Sequence, residues 1–241
     1  MSVAVAGHRA PPIVPRSARL REAAVSTVRL DADDTAVARA RLLLSPAELA
    51  YADRAAPVVA RQRILTRAGL RRLAGDVLGL LPEAVPLREG ADGRPELDVP
   101  GADVSCTRSA GVGLVAVSTG QRLGIDAEPV LDWRDEVLAE GWLSPAETRA
   151  LVALPPAARG LAAARCWTRK ESLLKGLGTG LTDTLADLDV GVGRFDTLVA
   201  GWRIRALLAP PGHVASIATL PDSIPAPLAA AERSTRGHAH S

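Results

Sequence analysis

Ser45-Pro46-Ala47-Glu48, within LLSPAELA (43–50), returns as Ser144-Pro145-Ala146-Glu147 within WLSPAETRAL (142–151), and the separation is 144 − 45 = 99 residues. Each copy spells a helix start. Serine takes the N-cap, proline the first helical position, and the glutamate reaches back to the cap. A long amphipathic stretch follows each one, RQRILTRAGLRRLAGDVLG (61–79) and LAAARCWTRKESLLKGLGTG (161–180). Their Thr-Arg pairs, Thr66-Arg67 and Thr168-Arg169, lie 168 − 66 = 102 apart. An apolar strand precedes each unit, VSTVRLD (25–31) and RLGIDAEPV (122–130). Strand, capped helix, long helix and strands, twice over, predict an α+β fold of two duplicated, pseudo-twofold α/β lobes, with a ligand cleft between them.

Working outward, the lobes are expected at 24–120 and 121–220. An arm (1–23) and a tail (221–241), both rich in Pro, Ala and Arg, are expected to be disordered. The 241 residues are enough to bury a core. Aromatics make up only 2%, so that core must be built from Leu, Val and Ala. Net charge is +2, too small to argue for nucleic acid, and six aromatics are too few to stack on bases. Cys106 and Cys166 form no CxxC pair and read as reduced small hydrophobes. No apolar run approaches the roughly 20 residues of a membrane span, and Arg9 with three prolines interrupts the start before a signal peptide could form. A cytoplasmic protein is expected.

Chemistry gathers around CWTRKESLLKGLGTGL (166–181). It holds both lysines, Lys170 and Lys175, while the remaining 29 − 2 = 27 basic side chains are arginine. On this helix Trp167, Glu171 and Lys175 fall at i, i+4 and i+8, one stripe. Glu four residues before Lys is also an ordinary helix-stabilising pair. In GIDAEPV (124–130), Asp126 and Glu128 alternate onto one strand face, with Ile125 and Ala127 on the other. By itself that motif reads equally well as a solvated strand end. Three acids and a lysine, however, supply a magnesium–phosphate site, since Mg²⁺ takes oxygen ligands and a compact ammonium approaches one phosphate oxygen. Three of the four histidines, His8, His238 and His240, lie in the terminal segments, which leaves too few for a histidine triad or zinc site. No GxxxxGK[ST] loop precedes either lysine, so basic side chains must hold the phosphate. DGRPEL (92–97) presents Arg94 on a turn, and VSCTRSAGVGLVAVS (104–118) sets Arg108 between Thr107 and Ser109.

GRP (93–95), CTRSAG (106–111), GIDAE (124–128) and WTRKESLLKGLGTGL (167–181), in that order, resemble the 4'-phosphopantetheinyl transferases of the surfactin-synthetase-activating (Sfp-like) type. Trp-x-x-Lys-Glu-Ser-x-x-Lys is the most specific block, and the likeness spans about residues 25–220. The resemblance implies transfer of phosphopantetheine from coenzyme A to a serine of acyl or peptidyl carrier domains of polyketide, nonribosomal peptide or fatty-acid synthases. Asp126, Glu128 and Glu171 are then the Mg²⁺ ligands, Glu171 also the general base, and Lys175 the phosphate contact that assists the leaving group. Gly93, Arg94 and Pro95 border the nucleotide; Thr107 and Arg108 bind its 3'-phosphate.

This chain departs from the family where Ser-His-Ser becomes Thr107-Arg108-Ser109, and where the first capped helix, which holds Glu48 and Tyr51, lacks the lysines that many relatives carry there. Some phosphate contacts must then come from the cluster Arg61, Arg63, Arg67, Arg71 and Arg72. Lys170, about 100° around the helix from Glu171, is left for the carrier protein or the pantetheine-side phosphate. The carrier is expected to dock on exposed arginines and the loop from Leu131 to Leu143. One chain supplies both sides of the cleft, so a monomer is expected. The alternative is a coenzyme-A- or nucleotide-binding module without chemistry.

Overall fold

The computed structural model describes residues 23–90, 93–130, 140–179 and 185–221. The predicted arm lies outside the described residues except for Ala23, and the predicted tail except for Pro221; 131–139 of the predicted docking loop also lie outside. The architecture is mixed α and β. Strand β1 (Ala24–Arg29) leads to helices α1 (Asp34–Arg41), α2 (Pro46–Asp53) and α3 (Pro57–Leu78). Strands β2 (Leu87–Glu89), β3 (Pro95–Leu97), β4 (Ala102–Ser109), β5 (Val112–Thr119) and β6 (Gln121–Pro129) come next. Helices α4 (Pro145–Val152) and α5 (Pro156–Leu177) follow, then β7 (Thr197–Val199), β8 (Trp202–Leu207) and β9 (His213–Pro221).

Both predicted capping boxes form. The Ser45 hydroxyl accepts from the Glu48 amide while the Glu48 carboxylate accepts from the Ser45 amide, and Ser144 with Glu147 repeats the arrangement. Helices α3 and α5 each run 22 residues from a proline at the first turn to a left-handed glycine cap, Gly79 and Gly178. Their starts differ by 156 − 57 = 99, the same offset as the capping boxes. The Thr-Arg pairs, 102 apart, therefore occupy different positions on the two helices.

β1, β5 and β4 form one antiparallel sheet in that order; β6, β9, β8 and β7 form another. In each, a long helix follows the first strand, and the last strand inserts beside that strand, β5 between β1 and β4 and β9 between β6 and β8. Val115 and Val117 of β5 pack towards α3 with Leu70, Ala74 and Val104. Leu114 and Ala116, on the opposite face of β5, share a core with Ile125 and Ala127 of β6 and with Ala215 and Ile217 of β9. Burial on both faces explains why VGLVAVS is continuously apolar rather than alternating.

β4 and β6 are edge strands of the two sheets, and side chains stitch them together. Asp103 Oδ2 accepts from the Leu123 amide (2.8 Å), Ser105 Oγ from the Ile125 amide (3.2 Å), and the Thr107 and Ser109 hydroxyls donate to Asp126 and Glu128. Every second residue of β4 from 103 to 109 thus bonds to β6. Over this seam lies α5, brought in by Gly124. An added Cβ there would fall inside contact distance of the Ser172 carbonyl oxygen and the Gly176 nitrogen. The glycine of GIDAE is therefore a packing residue that lets helix and strand backbones touch.

Candidate active site

The seam and α5 bring four side chains together. Asp126, almost fully buried, accepts at Oδ1 from Thr107 Oγ1 (2.9 Å) and from Lys175 Nζ (2.6 Å); that ammonium also lies 3.2 Å from Thr107 Oγ1. Ser109 Oγ donates to Glu128 Oε2 at 2.7 Å. Asp126 Oδ2 and Glu171 Oε1 are buried without a protein partner. Buried carboxylate oxygens are rarely left so, because the lost hydration must be replaced by something.

The electrostatics show how close the acids are. Burial pushes the Glu171 carboxyl above its ordinary range, Lys175 opposes this, and Asp126 and Glu128 add to it. Glu128 is also raised, chiefly by burial, against the Ser109 hydrogen bond and with a further push from Asp126. Like charges crowded in a half-buried seam call for a cation. Among the described residues no group of three or more carboxylate, imidazole or thiol side chains is arranged to hold a metal ion as it stands. The Lys175 ammonium supplies the counter-charge on Asp126. Orphaned oxygens, an oxygen-only donor set and mutually repelling acids nevertheless fit a hard divalent cation in chemical type.

Beside Lys175 opens a cavity of about 310 Å³ whose walls include Tyr51, Gly93, Arg94, Pro95, Arg108 and Lys175. Gly93 turns with φ +74°, and a side chain there would meet the Tyr51 hydroxyl. Arg94 is spent on structure: its guanidinium donates to the carbonyls of Lys175 and Leu123 (the latter at 3.2 Å), tying the turn to the end of α5. Arg67 is buried, donates to the Gly93 carbonyl at 2.9 Å, and leaves Nη1 without a partner. Arg63 lies over the Tyr51 ring, 4.1 Å from its centroid, with Nε buried and unpartnered. Partial desolvation, then the Arg63 and Arg67 guanidiniums, hold Arg108 below the usual arginine range, while Cys106 and Tyr51 act the other way. Arg108 lines the cavity with Arg63 and Arg67 behind it, a crowding of positive charge that suits an anion.

Residues 122–201 match the family profile of the 4'-phosphopantetheinyl transferase superfamily. That span holds Asp126, Glu128, Glu171 and Lys175. Over 148 residues the chain is also 31% identical to a Synechocystis sp. protein provisionally named a 4'-phosphopantetheinyl transferase; the match covers 59% of this chain and 60% of that protein. Both comparisons support a transferase. No helix among the described residues is long and apolar enough to cross a membrane.

Several expectations from the sequence need correcting. Thr107 is buried with its hydroxyl on Asp126, so here it orients a carboxylate. Arg61 is bound to Asp34 (2.6 Å) and the Ala32 carbonyl, at the start of α1. Arg71 pairs with Glu48 at 2.8 Å and is buried. Arg72 is exposed on another face, beside Ser26 and Asp76. Only Arg63 and Arg67 of the cluster join Arg108. Lys170 is fully buried and reaches neither substrate nor partner. Tyr51 stands in the cavity wall, a place the sequence reading does not assign it. The signal available was that the chain's single tyrosine follows Glu48 by three residues on the same helix.

Proposed function

We propose that this protein transfers the 4'-phosphopantetheinyl group of coenzyme A to a serine of apo-carrier protein domains, as an Sfp-like enzyme. The convergence of Asp126, Glu128, Glu171 and Lys175 on one seam, with two carboxylate oxygens unpartnered beside a cationic cavity, carries this reading. The matching 99-residue offsets and strand orders support a reading of 24–120 and 121–220 as two copies of one module. One chain then furnishes both walls, and the enzyme acts as a cytoplasmic monomer on acyl or peptidyl carriers of polyketide, nonribosomal peptide or fatty-acid synthases.

In this reading Tyr51 and the Gly93–Pro95 turn border the nucleotide, and Arg63, Arg67 and Arg108 take its phosphate. Asp126, Glu128 and Glu171 would hold Mg²⁺, which when bound supplies charge neutralisation on the diphosphate. The carrier serine oxygen forms the new bond to the pantetheine-side phosphorus. The bond from that phosphorus to the bridging oxygen breaks, and its electron pair leaves with adenosine 3',5'-bisphosphate. Glu171, its proton affinity raised by burial, takes the serine proton at Oε1. Thr107 and Ser109 keep Asp126 and Glu128 oriented, and Lys175 exchanges its bond to Asp126 for the phosphate.

Incubation with Mg²⁺, coenzyme A and an apo-carrier protein should add one phosphopantetheinyl group to the carrier, read by intact-mass spectrometry. Coenzyme A binding with no mass gain would leave a nucleotide-binding module instead. Lys175→Arg conserves charge but replaces a point donor by a planar fork, and should cut turnover at least about tenfold, some 1.4 kcal/mol of barrier. Near-normal turnover of that variant would reduce Lys175 to a counter-charge for Asp126.

A further inference from the structure

The second lysine of the catalytic helix has no place in the chemistry above, yet among the described residues it is the most completely enclosed cation of the second lobe. Lys170 Nζ donates to the carbonyls of Trp142 (3.0 Å), Leu185 (2.7 Å) and Leu188 (2.6 Å), and lies 2.7 Å from Glu147 Oε2, with both side chains fully buried. Glu147 is the capping-box residue of α4, and its other oxygen accepts from the Val190 amide at 2.9 Å. One ammonium therefore fixes three separate stretches onto α5: the approach to α4, its first turn, and the segment 185–190 beyond α5. A desolvated charge so placed holds its partners firmly, because losing any one leaves the others uncompensated.

The first lobe contains the same device. Arg71 Nε donates to Glu48 Oε2 at 2.8 Å, and its Nη1 to the carbonyls of Pro82 (3.0 Å) and Val85 (3.1 Å). Glu48 is the capping-box glutamate of α2. The offsets are 147 − 48 = 99 and 170 − 71 = 99, those of the helices themselves. The lobes differ in what comes next. After Arg71 stands the exposed Arg72; after Lys170 stands Glu171. Successive helical residues are rotated by about 100°, so anchoring residue 170 inward fixes the direction of residue 171. Trp167, one turn before Glu171, packs edge-on against Trp142 at 5.2 Å, and the carbonyl of Trp142 is one that Lys170 holds.

We propose that Lys170 is a positioning residue: with Glu147 it sets the rotation of α5 that turns Glu171 into the seam, and Arg71 with Glu48 is its non-catalytic counterpart. The inference rests on the proposed transferase reading for what Glu171 does. Four variants test it, each with Tm, kcat and KM measured per folded molecule. Lys170→Met should lower kcat at least about tenfold while KM for coenzyme A stays within about twofold. Lys170→Arg, which copies the first lobe, should recover part of that loss. Arg71→Met should lower Tm comparably with kcat within about twofold. Glu147→Gln weakens the pair without removing volume and carries the reading should Lys170→Met fail to fold.

Unchanged kcat in Lys170→Met or Glu147→Gln, or an equal kcat loss in Arg71→Met, overturns the positioning role. Mn²⁺ titration followed by electron paramagnetic resonance sees Glu171 without turnover. Lys170→Met should weaken Mn²⁺ binding severalfold and Arg71→Met should leave it alone. Wild-type protein that binds Mn²⁺ but modifies no carrier rejects the transferase reading while the metal titration still decides Lys170. Equal Mn²⁺ affinity in wild type and Lys170→Met overturns the positioning role.

Discussion

Glu171→Gln should lower turnover by about 10²- to 10⁴-fold, the usual contribution of a general base, while raising the Tm of the metal-free protein at neutral pH. The two effects have one cause. Burial, with Asp126 and Glu128 nearby, raises the folded-state carboxyl above its ordinary 4.5 despite Lys175. A carboxyl raised in this way binds its proton more tightly folded than unfolded. Its favourable contribution is complete below the unfolded value and is lost as pH climbs through that value to the folded one. At neutral pH the ionised, desolvated group destabilises the fold, and glutamine relieves that. Glu128→Gln should act in the same direction, since Glu128 is raised as well. Added Mg²⁺ should lift the Tm of the wild type by mass action and lift that of Glu171→Gln much less. Thermal melts with and without Mg²⁺ at pH 5 and pH 7, beside a turnover assay, check all of this. A Glu171→Gln protein that is less stable at pH 7 than the wild type would contradict the crowded-acid account.

Gly124→Ala should be nearly as damaging to activity although it touches no substrate. The new methyl would meet the Ser172 carbonyl oxygen and the Gly176 backbone, neither of which can yield as a flexible side-chain tip does. Gly176 in turn is backed by the Trp202 ring, so α5 cannot slide along itself to make room. The helix must lift from β6, at a cost of about 1–3 kcal/mol or more, as for overpacked cores. Lifting α5 draws Lys175 and Glu171 away from Asp126, and misplacement by about 1 Å can cost on the order of 10²-fold in rate. Circular dichroism should show a folded protein with lowered Tm, and the carrier assay a loss of at least about a hundredfold. Normal turnover in a stable Gly124→Ala protein would mean that the close approach of strand and helix is dispensable.

The helix starts were legible because capping is local: Ser, Pro and Glu at fixed spacing satisfy amides within four residues, whatever the rest of the chain does. Strand alternation put Asp126 and Glu128 on one face for the same reason, and helical spacing aligned Glu171 with Lys175. The 99-residue repeat of the capping motif was legible too, and the long helices share its offset. Fates of individual cations were not legible. Arg61, Arg63, Arg67, Arg71 and Arg72 share one helix, yet only Arg63 and Arg67 gather beside Arg108, since long flexible side chains are directed by whichever carbonyl or carboxylate the fold brings within reach. Thr107 went to Asp126 because β4 and β6 meet as sheet edges, which no local spacing encodes. Sequence alone therefore settled the capped helix starts and the faces shared by Asp126 with Glu128 and by Glu171 with Lys175, through interactions a few residues long. Tertiary structure decided which charges are spent inside the fold, as Lys170 and Arg71 are, and which are gathered at the seam, as Glu171 and Lys175 are. A buried charge must be matched by oxygens from distant segments, and only the packed chain places them.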